Sequence, residues 1–167
     1  VVDSKWFISV NTPLSEGVLN LIATQVNPAG NLNLGKSAND VITIDLTPPA
    51  PPTIVDDDIL VTTNTTPTLT GTGEVGAQVK VVATQGAMFN KSLGEVTIDN
   101  DGNWELDSAI ENPDGLPNGT VTLAAIATDA AGNSSDERAI NIVVDTQGPT
   151  GATIDAVSLN TTNDSTP

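Results

Sequence analysis

The chain contains no cysteine and no histidine. Disulfide bonds, thiolate chemistry, the usual zinc sites and a Ser-His-Asp triad are therefore excluded within it. Tyrosine is absent too, and two tryptophans and two phenylalanines supply all the aromatic volume. Alanine, valine, isoleucine and leucine must fill any core, which predicts a thin core and modest stability. Basic residues are scarce: five stand against 21 acidic ones, for a net charge of −16. Such a chain repels phosphate backbones and anionic lipid, so nucleic-acid and membrane-surface binding are not expected. No apolar run approaches the roughly 18 residues of a membrane-spanning helix, and Val1-Val2-Asp3 is no signal peptide.

What is present is a repeat with a spacing of 100 residues. Asp45, Pro49, Thr53, Ile54, Thr62, Thr66 and Pro67 recur without a gap as Asp145, Pro149, Thr153, Ile154, Thr162, Thr166 and Pro167. Upstream, Trp6 answers to Trp104, and Ile22-Ala23-Thr24 to Ile126-Ala127-Thr128. Pro28-Ala29-Gly30-Asn31 answers to Ala130-Ala131-Gly132-Asn133. Units of this size bury their own cores, so the pattern predicts a tandem array of domains and not a solenoid. Residues 1–47 read as the C-terminal part of one repeat, 48–146 as a complete repeat and 147–167 as the start of the next. The Pro-rich linker Thr47–Pro52 and the shorter Gln147-Gly148-Pro149 mark the boundaries.

Helix signals are nearly absent from the complete repeat, and short apolar alternations recur between turn clusters. The expected strands are Thr53–Val55 (resuming at Ile59–Thr62), Thr66–Thr72, Gln78–Thr84, Gly94–Ile98, Asn103–Asp107, Thr120–Thr128 and Arg138–Val144. Asn100-Asp101-Gly102 reads as a tight hairpin turn, with positive φ angles that Asp-Gly tolerates. About seven strands in about 100 residues predict an all-β chain of tandem, antiparallel immunoglobulin-like sandwiches. Trp104 is expected in the core, since Trp6 repeats it.

The linker DLTPPAPPTI, the segment TPTLTGTGEVGAQVKV, the turn DNDGNW and the stretch LAAIATDAAGNSSDERAINIVVDT resemble the bacterial Ig-like repeats of giant, type I-secreted surface adhesins and biofilm-associated proteins. The resemblance covers nearly the whole chain. It implies a non-catalytic extender repeat of a secreted cell-surface rod, monomeric, with neighbouring repeats of the same chain as partners. Contact with a host or abiotic surface would fall to other regions of the full protein. The resemblance also implies Ca²⁺ at or near the domain junctions, stiffening the rod. Asp45 and Asp145 correspond to the family's linker aspartate, and Asp129–Asn133 to its calcium loop. In the first unit the loop reads Gln25–Asn31, with Gln25 where that loop's aspartate is expected and two residues inserted, so a calcium site is not expected there.

Strand order places four acidic segments at one pole of the complete repeat, beside the incoming linker. These carry Asp45, Glu74, Asp99 to Asp101, and Asp129 to Asp136. Ca²⁺ takes about six to eight oxygens from carboxylates, carbonyls and water. The expected ligands are Asp45, Glu74, Asp129 and Asp99 or Asp101, completed by Asn133, with Asp145 repeating Asp45 at the next junction. The alternative is that these are ordinary loop acids. Asp56-Asp57-Asp58 could form a second site with Asp107 or Asp114, although a solvated loop is the simpler reading. DNDGNW fails as an EF-hand, because its glycine stands at the fourth place and Ile110 stands where the bidentate acid belongs. Six Asn-x-Ser/Thr sequons, at Asn64, Asn90, Asn118, Asn133, Asn160 and Asn163, matter only in a eukaryotic secretory setting. Two other functions remain open on the residues alone: an Ig-like module binding carbohydrate or protein, and an accessory domain of a secreted enzyme.

Overall fold

The computed structural model describes residues 9–21, 25–33, 41–55 and 60–151. Trp6, Ile22–Thr24, the Asp56-Asp57-Asp58 run and the third unit beyond Gly151 lie outside the described residues. The end of the first unit contributes β1 (Gly17–Asn20), β2 (Gln25–Val26), β3 (Leu32–Asn33) and β4 (Val41–Ile44). The complete unit follows with β5 (Val61–Thr62), β6 (Thr68–Thr72), β7 (Gln78–Gln85), β8 (Phe89–Thr97) and β9 (Asn103–Asp107). It closes with a short helix α1 (Ser108–Glu111), β10 (Gly119–Thr128) and β11 (Arg138–Val144).

Two layers enclose the core. One is a five-stranded sheet in the order β5-β11-β10-β7-β8, and the other pairs β6 with β9. The entering chain widens the smaller layer, because Thr53 N donates to Thr72 O and Val55 N to Thr70 O, both at 2.8 Å. It then crosses to the larger sheet, where β5 runs parallel to β11. Period-2 patterning explains the rest. Val79, Val81 and Ala83 on β7, and Val121, Leu123, Ala125 and Ala127 on β10, are fully buried. Leu69, Trp104 and Leu106 face them from β6 and β9. Alternate side chains on one face of each strand thus meet across the sandwich.

Trp104 is the largest member of this core and is held at both ends. Its indole Nε1 donates to Thr53 O at 3.1 Å. Its ring lies so close to Gly71 that a Cβ there would stand 2.7 Å from ring carbons. The glycine in β6 is therefore a docking face for the tryptophan and not a strand break.

The structure differs from the sequence reading in two places that matter below. Strand β8 begins at Phe89 and not at Gly94. Gly94 (φ +132°) is part of a bulge, with Val81 opposite Gly94 and Val82 opposite Ser92. The extra residue, Leu93, is fully buried, so the bulge turns one more leucine into the core. Helix α1 was not foreseen. Asp107 caps it through Ala109 N at 3.0 Å, and the buried Ser108 hydroxyl donates to Pro67 O at 2.7 Å.

The partial first unit shows the same strand relation at its exit. Gly17 pairs with Ile44 as Gly119 pairs with Val144, in each case with the strand that leads into the linker.

Candidate functional site

The incoming pole of the complete unit is defined by strand register. Thr128 lies opposite Gln78, Gln78 opposite Thr97, and Thr72 opposite Asn103. The loops beyond those residues carry Glu74, Asp99 to Asp101, and Asp129 to Asn133. The Glu74 and Asp99 loops are joined directly, since Gly73 N donates to Gly102 O at 3.0 Å.

Two of these loops are the same five-residue turn. In Asp99-Asn100-Asp101-Gly102-Asn103, Asp99 N donates to Asn103 O at 2.8 Å and Gly102 N to Asp99 O at 3.1 Å. The Asp99 carboxylate accepts from Asp101 N at 2.9 Å and Asn103 N at 2.8 Å. In Asp129-Ala130-Ala131-Gly132-Asn133 the same bonds measure 3.0, 3.2, 2.8 and 2.9 Å. Each turn needs one residue of positive φ, and glycine supplies it: +80° at Gly102 and +93° at Gly132. Among the described residues no non-glycine residue has positive φ, so the tight turn expected at Asn100-Asp101-Gly102 takes its positive φ from Gly102 alone. Its leading carboxylate replaces lost ladder acceptors.

A third copy lies in the first unit. Asn27 N donates to Asn31 O and Gly30 N to Asn27 O, while Asn27 Oδ1 accepts from Ala29 N and Asn31 N. Asn27, and not Gln25, is therefore the counterpart of Asp129, and no insertion separates the two loops. Gly17 and Asn27 stand ten residues apart, as do Gly119 and Asp129, so the exit glycines and the turns keep one register in both units.

Among the described residues, the Asp129 turn is the one of the three that bonds outside its own unit. The Asn133 side-chain amide donates to the second oxygen of Asp129 at 2.9 Å and to the Asp45 carbonyl at 3.1 Å. Asp129 gathers so many donors that its carboxyl is held below the ordinary range. The Asn133 amide contributes most, and the backbone N–H groups of Asn133, Ala131 and Gly132 add to it, against an opposing effect of burial.

The remaining expected ligands have other positions. Asp45 folds its carboxylate back onto Thr47 N at 3.0 Å. Asp145 does the same to Gln147 N at 3.0 Å, but at the opposite pole, where the next linker leaves. Glu74 and Asp101 are exposed, and Asp101 contributes its backbone N–H to the Asp99 turn. Asp107 caps α1, and Asp114 lies 4.0 Å from Lys91 Nζ.

Does this donor set fit calcium? Asp129 Oδ1 already accepts two N–H groups and its Oδ2 the Asn133 amide, while Asp45 Oδ1 accepts Thr47 N. Among the described residues no group of three or more Asp, Glu, His or Cys side chains is placed to hold a metal. Against the about six to eight oxygens that Ca²⁺ takes, this arrangement falls short of a complete shell as it stands.

A shallow groove of about 390 Å³ opens beside the turn, lined by Val55, Thr70, Thr72, Asp99, Asn103 and Glu105 among others. Trp104 forms its floor but is only 3% exposed, so it offers no face for stacking a sugar.

Sequence reasoning missed two residues that bind the linkers. Glu16 accepts from the Thr47 hydroxyl at 3.0 and 3.1 Å. Asn118 accepts from Thr146 N at 2.9 Å and from its hydroxyl at 3.0 Å. The available signal was the polar residue before a glycine, Glu16-Gly17 and Asn118-Gly119, at the start of corresponding strands.

No curated protein matches the chain. Among solved structures, it is similar to a tetra-tandem repeat in the extending region of a large adhesion protein. The two are 22% identical over 80% of this chain, with a TM-score of 0.45, and this chain spans 33% of that one. The fibronectin(III)-like modules of Clostridium thermocellum CbhA are 16% identical over 78% of this chain and 64% of theirs, with a TM-score of 0.45. A human fibronectin type III domain is 13% identical over 70% of this chain and all of its own, with a TM-score of 0.34. The family model of the bacterial Ig-like domain matches residues 53–146, more than half of the chain. The chain belongs to the bacterial Ig-like domain family.

Proposed function

We propose that this chain is a non-catalytic extender segment of a large, secreted bacterial surface adhesin that serves adhesion and biofilm formation. Its immediate partners are the repeats on either side of it. One observation carries the reading: the Asn133 amide of the complete unit donates to the carbonyl of Asp45, in the linker, 88 residues earlier. A linker bonded to the sandwich passes orientation from unit to unit, whereas a free tether would not. The 100-residue sequence repeat and the strand relation shared by both exits support the same reading. Among the described residues no helix is long and apolar enough to cross a membrane.

Calcium belongs to the proposal on charge and position. The net charge of −16 favours a divalent counterion, and Asp45 and Asp129 are the carboxylates beside Asn133 at the junction. Binding there requires the Asn133 amide to turn its oxygen toward the ion and water to complete the shell. The chain's own residues position the linker, and the ion would neutralise the crowd of acids around it.

Scattering from chains carrying this unit in two, three and four consecutive copies tests the extender reading. A maximum dimension that rises by a constant step per copy supports it. Growth as a compact or coiled particle contradicts it.

A further inference from the structure

Each repeat has to meet two linkers, and the structure shows what it offers to each. At the first junction the bonds cross. Asp45, next to the preceding unit, has its carbonyl bound by Asn133 of the following unit at 3.1 Å. Thr47, two residues nearer the following unit, has its hydroxyl bound by Glu16 of the preceding one at 3.0 and 3.1 Å. Between them the Asp45 carboxylate closes a local turn onto Thr47 N. Rotating either unit about the linker breaks a bond made from the far side.

The second junction repeats the outgoing half. Asn118 takes the place of Glu16, and its Oδ1 accepts both the N–H and the hydroxyl of Thr146. Asp145 closes the same local turn onto Gln147 N. The equivalence of Glu16 and Asn118 is structural. Each precedes a glycine of positive φ (Gly17 +127°, Gly119 +102°), and each glycine pairs with the last residue of the strand that feeds the linker. Asn118 is itself anchored, because Gln85 Nε2 donates to Asn118 O at 2.9 Å and Thr120 O at 3.2 Å. A Cβ on Gly119 would stand 3.0 Å from that Gln85 nitrogen, so the glycine admits the brace. Both copies thus set an acceptor on a fixed backbone, aimed at a threonine one or two residues past the linker aspartate.

We infer that every repeat carries two linker-docking sites: Asn133 at the incoming pole, and the residue before the exit glycine (Glu16, Asn118) at the outgoing pole. Their ligand is the peptide that follows the linker aspartate, recognised by its carbonyl and by a threonine hydroxyl. The pair fixes interdomain orientation by direct hydrogen bonds, without an ion. The inference rests on the extender reading and describes the ion-free junction; calcium bound through a turned Asn133 amide would replace the Asn133 bond to Asp45. The two copies of the outgoing site differ in what they hold: Asn118 accepts from a backbone N–H as well as a hydroxyl, whereas Glu16 accepts from the hydroxyl alone.

Nitrogen-15 relaxation on the whole chain in chelator tests the inference. The amides of Leu46, Thr47, Thr146 and Gln147 should show order parameters near the roughly 0.85 of rigid backbone, well above the about 0.6 that marks flexible chain. Asn118→Ala should lower order at Thr146 and Gln147 alone, and Asn118→Asp, which keeps the acceptor, should restore it. Asn133→Ala should loosen Leu46 and Thr47, and Glu16→Ala should loosen Thr47 while Glu16→Gln does not. Strand amides serve as the internal check that each variant is folded. Linker amides that are flexible in the wild-type chain, or that stay rigid in all three alanine variants, overturn the inference. Order that appears only when calcium is added also overturns it, yet leaves the extender reading standing. Compact growth in the multi-copy scattering experiment would remove the extender reading itself.

Discussion

The turns Asp99–Asn103 and Asp129–Asn133 share a backbone, a capping carboxylate and a glycine, yet they serve different neighbours. The residue after Asn103 is Trp104, so the first turn aims a tryptophan into the core. The residues after Asn133 return along β10, through Ser135 N to Ala127 O at 2.9 Å, and leave the Asn133 amide free to reach the linker. One module thus anchors the unit to itself and its twin anchors the unit to the linker from the preceding one. The lesson is that an acidic loop in this chain is first a backbone cap. What it does beyond that is decided by which element lies next to it.

The largest effect expected from separating the two roles is Trp104→Ala. It should cost the complete unit about 3–5 kcal/mol, as large-to-small changes of buried aromatics do. Denaturant unfolding would measure it. No substitution confined to the Asp129 turn should approach that loss. A smaller effect concerns calcium. At a tenfold excess over its dissociation constant, an ion that binds only the folded state stabilises by about 1.4 kcal/mol. Thermal melting in calcium and in chelator should show this gain. Asp129→Asn or Asp45→Asn should diminish it and Asp99→Asn should not. Equal midpoints with and without the ion would remove calcium from the proposal.

The glycines come next. Gly102→Ala and Gly132→Ala each force a side chain into the left-handed region, at about 1–2 kcal/mol. The open space around Gly132 and the near-open space around Gly102 make the two costs similar. Unequal costs beyond that range would mean that the turns are not the same device.

Acid distinguishes Asp129 from its neutral counterpart Asn27. Because the Asp129 carboxyl is held below its ordinary range when folded, its contribution is fully present above the unfolded value of about 3.9. That contribution is lost as pH falls through the lower, folded value. The difference in melting midpoint between wild type and Asp129→Asn should therefore stay level above about pH 5 and shrink below about pH 4. A difference that grows with acid would reverse the sign and refute the assignment. The smallest effect belongs to Asp136→Ala, which should leave both stability and calcium response unchanged, since that side chain is exposed.

The strands were legible because burial and period coincide. Val79, Val81 and Ala83, or Val121 through Ala127, write their buried face directly into the sequence. Gly94 was read as a boundary because a glycine inside a strand gives the same local signal whether it ends the strand or bulges it. The turn modules were half legible. The xxGN spacing recurs in all three and Asp-Gly announced a tight turn, but nothing in the sequence showed that the leading Asp or Asn side chain caps it. Glu16 and Asn118 were illegible. Their bonds span 31 and 28 residues, and no local pattern announces an acceptor aimed at a linker. Convergence of acids at one pole followed from strand order, whereas their engagement by backbone N–H groups did not.

The most direct test of the junction is a distance distribution across it. The chain has no cysteine, so single cysteines introduced at the exposed Val18 and Met88 can be spin-labelled without background. These positions place one label on β1 of the first unit and the other at the β7–β8 turn of the complete unit. In chelator one narrow distribution is expected, which broadens in Asn133→Ala while strand amides stay protected. A broad distribution in the wild-type chain, or a narrow one that Asn133→Ala leaves untouched, would contradict it.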